Sequence, residues 1–404
     1  MRFPAARFAL AQSALNLLGG VYLPFFPLWL QHNDISPQQT SLILGVGMIT
    51  RVFVAPVAGL VADALNDRRL VAITIAALSF VLFGALALFG EGNGFWPIFV
   101  LTVTAATFHS SLGPIIETQT ARGADDYGFH YSRVRAIGSF SFVVANYMAG
   151  IAVGAVGVQW IAAMVAALVG VQILCFLPLP QLRRETAHVA GIGLALRRTL
   201  TEAGQLVRHR TFLVFIAATG AAQAAHGVYY AMGSLNFERL GYSTGYIGFL
   251  WGLGVFAEVL LFLVAPWLTR GVRGTTLIAL GVAAGAVRWT AMAFDVDPIT
   301  AAALQVLHAG SFGLVHLGTM QFLTRAVPLG LAATAQSLFA VAAFGLATGA
   351  VTFAAGPLFD AVAGYAYLLS AALSAAGLVL TLALAKIWNG DILFPSTSTH
   401  GSPS

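Results

Sequence analysis

The sequence predicts an all-α membrane protein with twelve transmembrane helices in two six-helix bundles, and three observations carry that expectation. Of 404 residues, 58% are hydrophobic and only 9% are charged, whereas a soluble domain carries about a quarter charged residues. About twelve apolar segments are long enough to span a bilayer, each needing roughly 20 residues. The basic residues gather on one side of these segments, which is the pattern that orients a chain in a membrane.

In order, the segments run near 7–30, 38–62, 70–90, 96–118, 133–156, 160–178, 211–232, 244–265, 275–293, 298–323, 332–355 and 364–388. The first is too long and too interrupted, by Pro24 and Pro27, to be a cleaved signal peptide. With the N-terminus placed inside, seventeen of the 20 basic residues fall on the cytoplasmic side, from Arg2 and Arg7 through Arg68, Arg69, Arg133, Arg197 and Arg198 to Lys386. Arg239 alone falls outside, where the loops carry Asp34, Glu91, Glu238, Asp295, Asp297 and Asp360 instead. This asymmetry puts both termini in the cytoplasm. The longest break, 179–210, divides the segments six and six, giving an N-terminal bundle over 1–178 and a C-terminal bundle over 211–390. It is basic, and its GLALRRTLTEAGQLV portion suits an amphipathic helix on the anionic inner leaflet, although its simplest role is a tether. Residues 391–404 are polar and are expected to be a disordered cytoplasmic tail.

Two of the basic residues, Arg51 and Arg288, fall inside the expected membrane region, and an ionisable group there is a functional hypothesis by default. Arg51 keeps its proton, so it needs an anion or a carbonyl cage: a carboxylate substrate or Glu117 would serve. Glu117 ends one apolar segment, while Arg133 and Arg135 begin the next. Such a pair either grips a polar solute in a shared cavity or sits as solvated helix ends. In the second half Glu258 lies mid-segment, Arg288 follows in GVAAGAVRW, and His226, His308 and His316 are further polar groups. Burial disfavours a charged carboxylate and a guanidinium favours it. A Glu258 that alternates between those surroundings can bind and release a proton; the competing reading is a static Glu258–Arg288 bridge. His109 and His316 read as packing or cavity-lining groups. Phe25, Phe26 and Phe142 are the aromatics assigned to the cavity, where they would suit an aromatic or aliphatic solute body.

No metal-ligand cluster and no phosphate loop is present in the sequence, and Ser13, Ser110 and Ser111 have no nucleophile setting. Enzyme chemistry and a primary pump are therefore not expected, nor is a cofactor. The single Cys175 rules out an internal disulfide. Nineteen of the basic residues are Arg, which reads as genomic base composition, and their placement does not suit nucleic acid.

The stretch GLVADALNDRR, Gly59 to Arg69, resembles the signature loop of the major facilitator superfamily: Gly59, three residues, Asp63, then the basic pair Arg68 and Arg69. Gly59 allows close helix approach, Asp63 can cap or pair with a neighbouring helix end, and the arginines anchor the inner face. Ala64 stands where the family has a base, and Asn66 where it has a turn glycine; Asn tolerates positive φ. Within the superfamily, YLPFFPLWL from Tyr22, SPQQT from Ser36, GVGMITR ending at Arg51, and RVRAIGSFSF from Arg133 to Phe142 look like the phenylpropionate permease family. That family is related to lactose permease and the nucleoside:proton symporters.

The resemblance implies alternating access about a central site, a bacterial inner-membrane location and a monomer. It implies substrate binding by Glu117 and Arg135, whose spacing equals that of the sugar-binding pair of lactose permease. It also implies that Glu258, Arg288 and His308, with His226 nearby, form a proton-coupling cluster. The carboxylate that lactose permease carries one turn beyond its histidine is Ser311 here. The expected function is proton-coupled uptake of a small organic acid such as 3-phenylpropionate. The alternatives are proton symport of a sugar or nucleoside, and efflux of hydrophobic compounds.

Overall fold

A computed structural model describes residues 3–182 and 192–393. Arg2, Arg183 and Arg184, the 183–191 part of the expected tether and the 394–404 part of the expected tail lie outside the described residues.

Every regular element among the described residues is helical. In the first half these are α1 (Pro4–His32), α2 (Pro37–Ala64), α3 (Arg68–Phe89), α4 (Phe95–His109), α5 (Leu112–Tyr127), α6 (Tyr131–Val156) and α7 (Ile161–Phe176). After α8 (Ile192–Arg208), the second half holds α9 (Arg210–Ala224), α10 (Gly227–Arg239), α11 (Thr244–Leu268) and α12 (Gly274–Met292). It continues with α13 (Pro298–Val306), α14 (Val315–Ala326), α15 (Ala332–Phe339), α16 (Thr348–Val362) and α17 (Tyr367–Ile387). Among the described residues, eleven stretches are long and apolar enough to cross a membrane. The last runs 59 residues, Leu329–Ile387, which at 1.5 Å per residue is far longer than a bilayer core of about 30 Å. It is interrupted at Ala363, where φ is 49°.

The local chemistry explains the helix ends. Ser36 and Gln39 form a reciprocal capping box ahead of α2, with Pro37 in its first turn. The side chains of Asp67, Ser243 and Asp297 cap α3, α11 and α13. Gly128, at φ 70°, closes α5. The sequence expectation stopped the fourth segment near 118. The helix instead breaks at Ser110–Ser111 and continues to Tyr127, because TQTARGADDY is polar but compatible with a helix. Apolar length sets the membrane-buried portion and not the helix length. The seventh segment likewise reaches Arg239 in place of 232, after a break at Ala225–His226. Arg239 pairs with Asp295 at 2.5 Å, and its guanidinium holds the exposed Asp295 carboxyl below its ordinary range. In the expected linker, α8 does form a helix; its Leu206 is fully buried, and Glu202 accepts a 2.6 Å hydrogen bond from Thr334.

Packing proceeds through small residues, as it must where lipid supplies no hydrophobic drive between helices. α1 lies on α6 and α7, α3 on α4 and α7, and α12 on α14 and α17. The two halves meet chiefly along α2–α16 and α6–α11. A Cβ added at Gly248 would lie 2.2 Å from the Asn146 carbonyl oxygen, and one at Gly356 2.2 Å from the Pro37 carbonyl oxygen. Thr244 donates a 2.9 Å hydrogen bond to the Gly150 carbonyl, and Ser41 donates one of 3.2 Å to that of Phe353. These contacts lie at the arginine-poor end of the helices. Farther along α2, beyond Val52, the chain turns outward: Phe53, Val57 and Val61 are exposed and a Cβ at Gly59 would meet nothing within 4 Å. The halves are closed together at the arginine-poor end and spread at the arginine-rich one.

Gly20 is held against α6, where a Cβ would come within 2.6 Å of the Ala145 Cβ and 2.8 Å of the Phe142 carbonyl oxygen. Gly20→Val should therefore lower the thermal unfolding midpoint of the purified protein in detergent, consistent with an overpacking cost of about 1–3 kcal/mol. Gly84→Ala, placed where a Cβ meets nothing within 4 Å, should leave the midpoint unchanged or raise it.

Candidate functional site

Just inside the closed end lies a cavity of about 380 Å³ between the halves, with walls from α1, α2 and α6 on one side and α10 to α13 and α16 on the other. Arg51, Arg135 and Arg288 reach its wall, against one carboxylate, Glu258.

Arg288 is fully buried. It donates to Gln305 Oε1 at 2.6 Å, to Ser311 Oγ at 3.2 Å and to His308 Nδ1 at 3.1 Å. Its guanidinium carbon lies 4.3 Å from the Trp289 ring centroid and 5.2 Å from that of Tyr229, both cation–π distances. No carboxylate pairs with it among the described residues. Its Nε and the Gln305 Nε2 are buried without a partner. An ion out of water with only neutral acceptors and rings around it is costly. The expected alternative of a static Glu258–Arg288 bridge is not what forms, because His308 stands between the two charges.

The hydrogen bonds fix the histidine tautomers. Arginine only donates, so His308 Nδ1 accepts from Arg288 and its hydrogen sits on Nε2. That nitrogen lies 3.4 Å from Glu258 Oε2. His308 cannot carry a second proton without losing the Arg288 contact. His226 Nδ1 lies 3.1 Å from the Ala222 carbonyl, so it is the donor there, and Nε2 accepts from Ser311 at 3.4 Å. Arg288, Ser311, His226 and Ala222 thus form one directional chain. Ser311, in the position where the resemblance leads one to look for a carboxylate, serves as a neutral link.

Two π-helical segments flank this network, Ala309–Leu314 and Ala340–Ala347. Such wide turns are rare and concentrate at functional sites. The first places Ser311 in the network and Phe312 on the cavity wall. The second offers the Phe344 carbonyl to Arg51, which donates to it at 2.6 Å. Arg51 is thus held by a carbonyl, one of its two expected kinds of partner, and not by Glu117.

Glu117 pairs with Arg135 at 3.2 Å across α5 and α6. The pair is partly exposed, with the Arg135 side chain at 50% and Glu117 at 34%. Glu117 also accepts from Gln12 at 2.8 Å and from the Tyr131 hydroxyl. Arg135 lines the cavity, whereas Glu117 stands behind it. Of the three aromatics assigned to the cavity, Phe142 lines it. Phe25 and Phe26 do not: both are fully buried, and Phe26 stacks between Tyr22 and Trp29. Phe25 is taken up against Gly248 of α11 and Phe26 by its stacking partners, so neither ring reaches the cavity wall. Sequence reasoning missed Gln305, although it precedes His308 by three residues and so shares its face. It also missed the wall of Tyr229 and Trp251, whose rings stack at 4.4 Å; their separation in sequence hides that pairing.

At the spread end, Arg68 pairs with Asp63, and Asp67 caps α3 while accepting from Gln181. Asn66 has φ 49°, the conformation a turn glycine would supply. Gly59 and Arg69 complete the loop, with the Gly59 face unoccupied in this arrangement.

The model of the MFS_1 like family matches residues 17–369. A protein of Escherichia coli (strain K12) named "probable 3-phenylpropionic acid transporter" is 28% identical over 306 residues, covering 75% of this chain and 78% of its own. The uncharacterized transporter YwbF of Bacillus subtilis (strain 168) is 27% identical over 380 residues, 91% of this chain and 90% of its own. A crystal structure of nucleoside transporter NupG superposes with a TM-score of 0.80 at 14% identity, covering 96% of this chain and 100% of that one; at that identity the likeness shows the fold alone.

Because Arg288 has no counter-charge among the described residues, replacing it with an apolar side chain of similar length removes a buried ion without stranding a partner ion. Arg288→Met should therefore leave the thermal midpoint of the purified protein unchanged or raised. A fall of several degrees would identify Arg288 as a structural tie.

Proposed function

The chain belongs to the MFS_1 like family of major facilitator transporters, and from that premise we propose that it takes up a small organic acid together with protons. The observation that carries the reading is the fully buried Arg288 facing a shared cavity with no carboxylate partner among the described residues and with its Nε left free. A carboxylate arriving in the cavity supplies the missing charge and accepts the unused donors of Arg288 and Gln305. Arg51 adds a second positive charge to the same space. The name of the Escherichia coli relative supports 3-phenylpropionate as the acid to try first.

Glu258 is the proton carrier in this reading. It is the one carboxylate on the cavity wall, mostly buried, with a neutral His308 as its partner. Protonated, it leaves the cavity positive and receptive to an anion; released toward the open end, its proton leaves with the substrate. Arg135, steered by Glu117, closes the substrate site from the first half. Two six-helix bundles, 1–178 and 211–390, rock about this site, with 179–210 as the tether, and the interruption at Ala363 divides the 59-residue stretch so that the spans number twelve. With the arginine-rich end in the cytoplasm, both termini lie inside a bacterial inner membrane. The arrangement is then inward-facing, and the loop of Gly59, Asp63, Arg68 and Arg69 is the gate that has parted. The protein works as a monomer.

The amides of Asn16 and Gln305 and the stacked Tyr229–Trp251 wall would also suit the hydroxyls and ring of a sugar or nucleoside, so the decisive assay offers both kinds of solute. In vesicles bearing the protein, an inward proton gradient should drive accumulation of labelled 3-phenylpropionate. Glu258→Gln should retain exchange but lose accumulation, and Arg288→Met should lose binding of the acid. Accumulation of a labelled nucleoside or sugar in its place, or extrusion of hydrophobic compounds, overturns the reading.

A further inference from the structure

A second cavity, of about 230 Å³, lies inside the first half between α1, α2, α3 and α4. It shares Leu23, Met48, Arg51 and Tyr230 with the cavity between the halves, so the two spaces adjoin at Arg51. Its own wall is apolar: Leu15, Leu18, Leu44 and Ala106 line it beside the rings of Tyr22 and Phe83, which meet edge to face at 6.0 Å. The polar groups at its α4 wall are already engaged. His109 bonds to Gln172 at 2.9 Å, and Ser110 donates to the Thr107 carbonyl at 2.7 Å. A pocket whose α4 polar groups are engaged and whose remaining wall is mainly apolar suits an apolar guest, and roughly 150 Å³ of apolar space accepts a benzene-sized one.

We propose that this side pocket is the specificity pocket for the apolar body of the transported acid, a phenyl-sized ring, while its carboxylate stays in the shared cavity with the arginines. The inference rests on the carboxylate reading above. Arg51 stands at the junction, anchored by the Phe344 carbonyl, so that head and ring part on either side of it. Gly47 lies one turn before Arg51 on the same face of α2. It keeps the pocket open, because a Cβ there would meet only the Ala106 Cβ, at 4.0 Å. Phe26 has a place in this arrangement without touching the solute: it stacks on Tyr22, with centroids 4.6 Å apart, and holds that ring against the pocket.

The test compares a ringed and a ringless acid on the purified protein in detergent, with 3-phenylpropionate and butyrate titrated calorimetrically. Gly47→Leu fills the pocket from α2, and Ala106→Leu fills it from α4, so a folding failure of one leaves the other. Each should weaken 3-phenylpropionate at least tenfold and change butyrate less than twofold. Equal losses for both acids, or no loss for either, overturn the inference. So does a wild-type protein that binds 3-phenylpropionate no more tightly than butyrate, and in that case the carboxylate reading survives. If the wild type binds neither acid, the carboxylate reading falls and takes this inference with it.

Discussion

The site is organised around a buried guanidinium, Arg288, that no carboxylate among the described residues neutralises. Arg288 is shut away from water among Gln305, His308, Ser311 and two aromatic rings, none of them charged by the hydrogen-bond pattern around it. A chain selected for stability alone would place a carboxylate beside it or replace it with an apolar residue. Much else follows from accommodating it. His308 takes up a fixed tautomer, Ser311 is turned into the network by a π-helical segment, and Glu258 is kept one imidazole away. In the reading proposed above, the cost of that charge is what favours an anion in the cavity, whose oxygens would add to the neutral acceptors already around it.

The second constraint is how closely backbones can approach. Gly45, Gly150, Gly248 and Gly356, on α2, α6, α11 and α16, sit where a Cβ would press on a carbonyl of the other half. Contact of that kind is short-ranged and has no tolerance for intermediate positions, so the halves are either seated or apart. At the opposite end Gly59 faces open space, and Asp63 is occupied by Arg68 from its own loop. One end seated and the other spread is the asymmetry a rocking transporter requires.

Much of this was legible beforehand. The run of apolar segments, eleven stretches among the described residues against about twelve expected, and the arginine bias follow from the cost of exposing polar groups to lipid, which each residue carries locally. The Glu117–Arg135 pair and the left-handed Asn66 were readable because each depends on residues close in sequence. The register along each segment was less so. Phe25 and Phe26 were assigned to the cavity by residue type, yet they pack within the bundle. Arg51 was offered an anion or a carbonyl, and the carbonyl came from Phe344, nearly three hundred residues away.

By itself, then, the sequence determined that the chain lives in a bilayer, how its spans are ordered, and which ionisable groups had to lie within it, because transfer free energies are summed residue by residue along the chain. Only the tertiary structure decided which of those groups meet. It put His308 between Arg288 and Glu258, left Arg288 without a counter-ion among the described residues, widened two helices into π turns, and opened an apolar pocket beside Arg51. Those outcomes rest on distances between segments remote in sequence, which no local pattern of residues encodes.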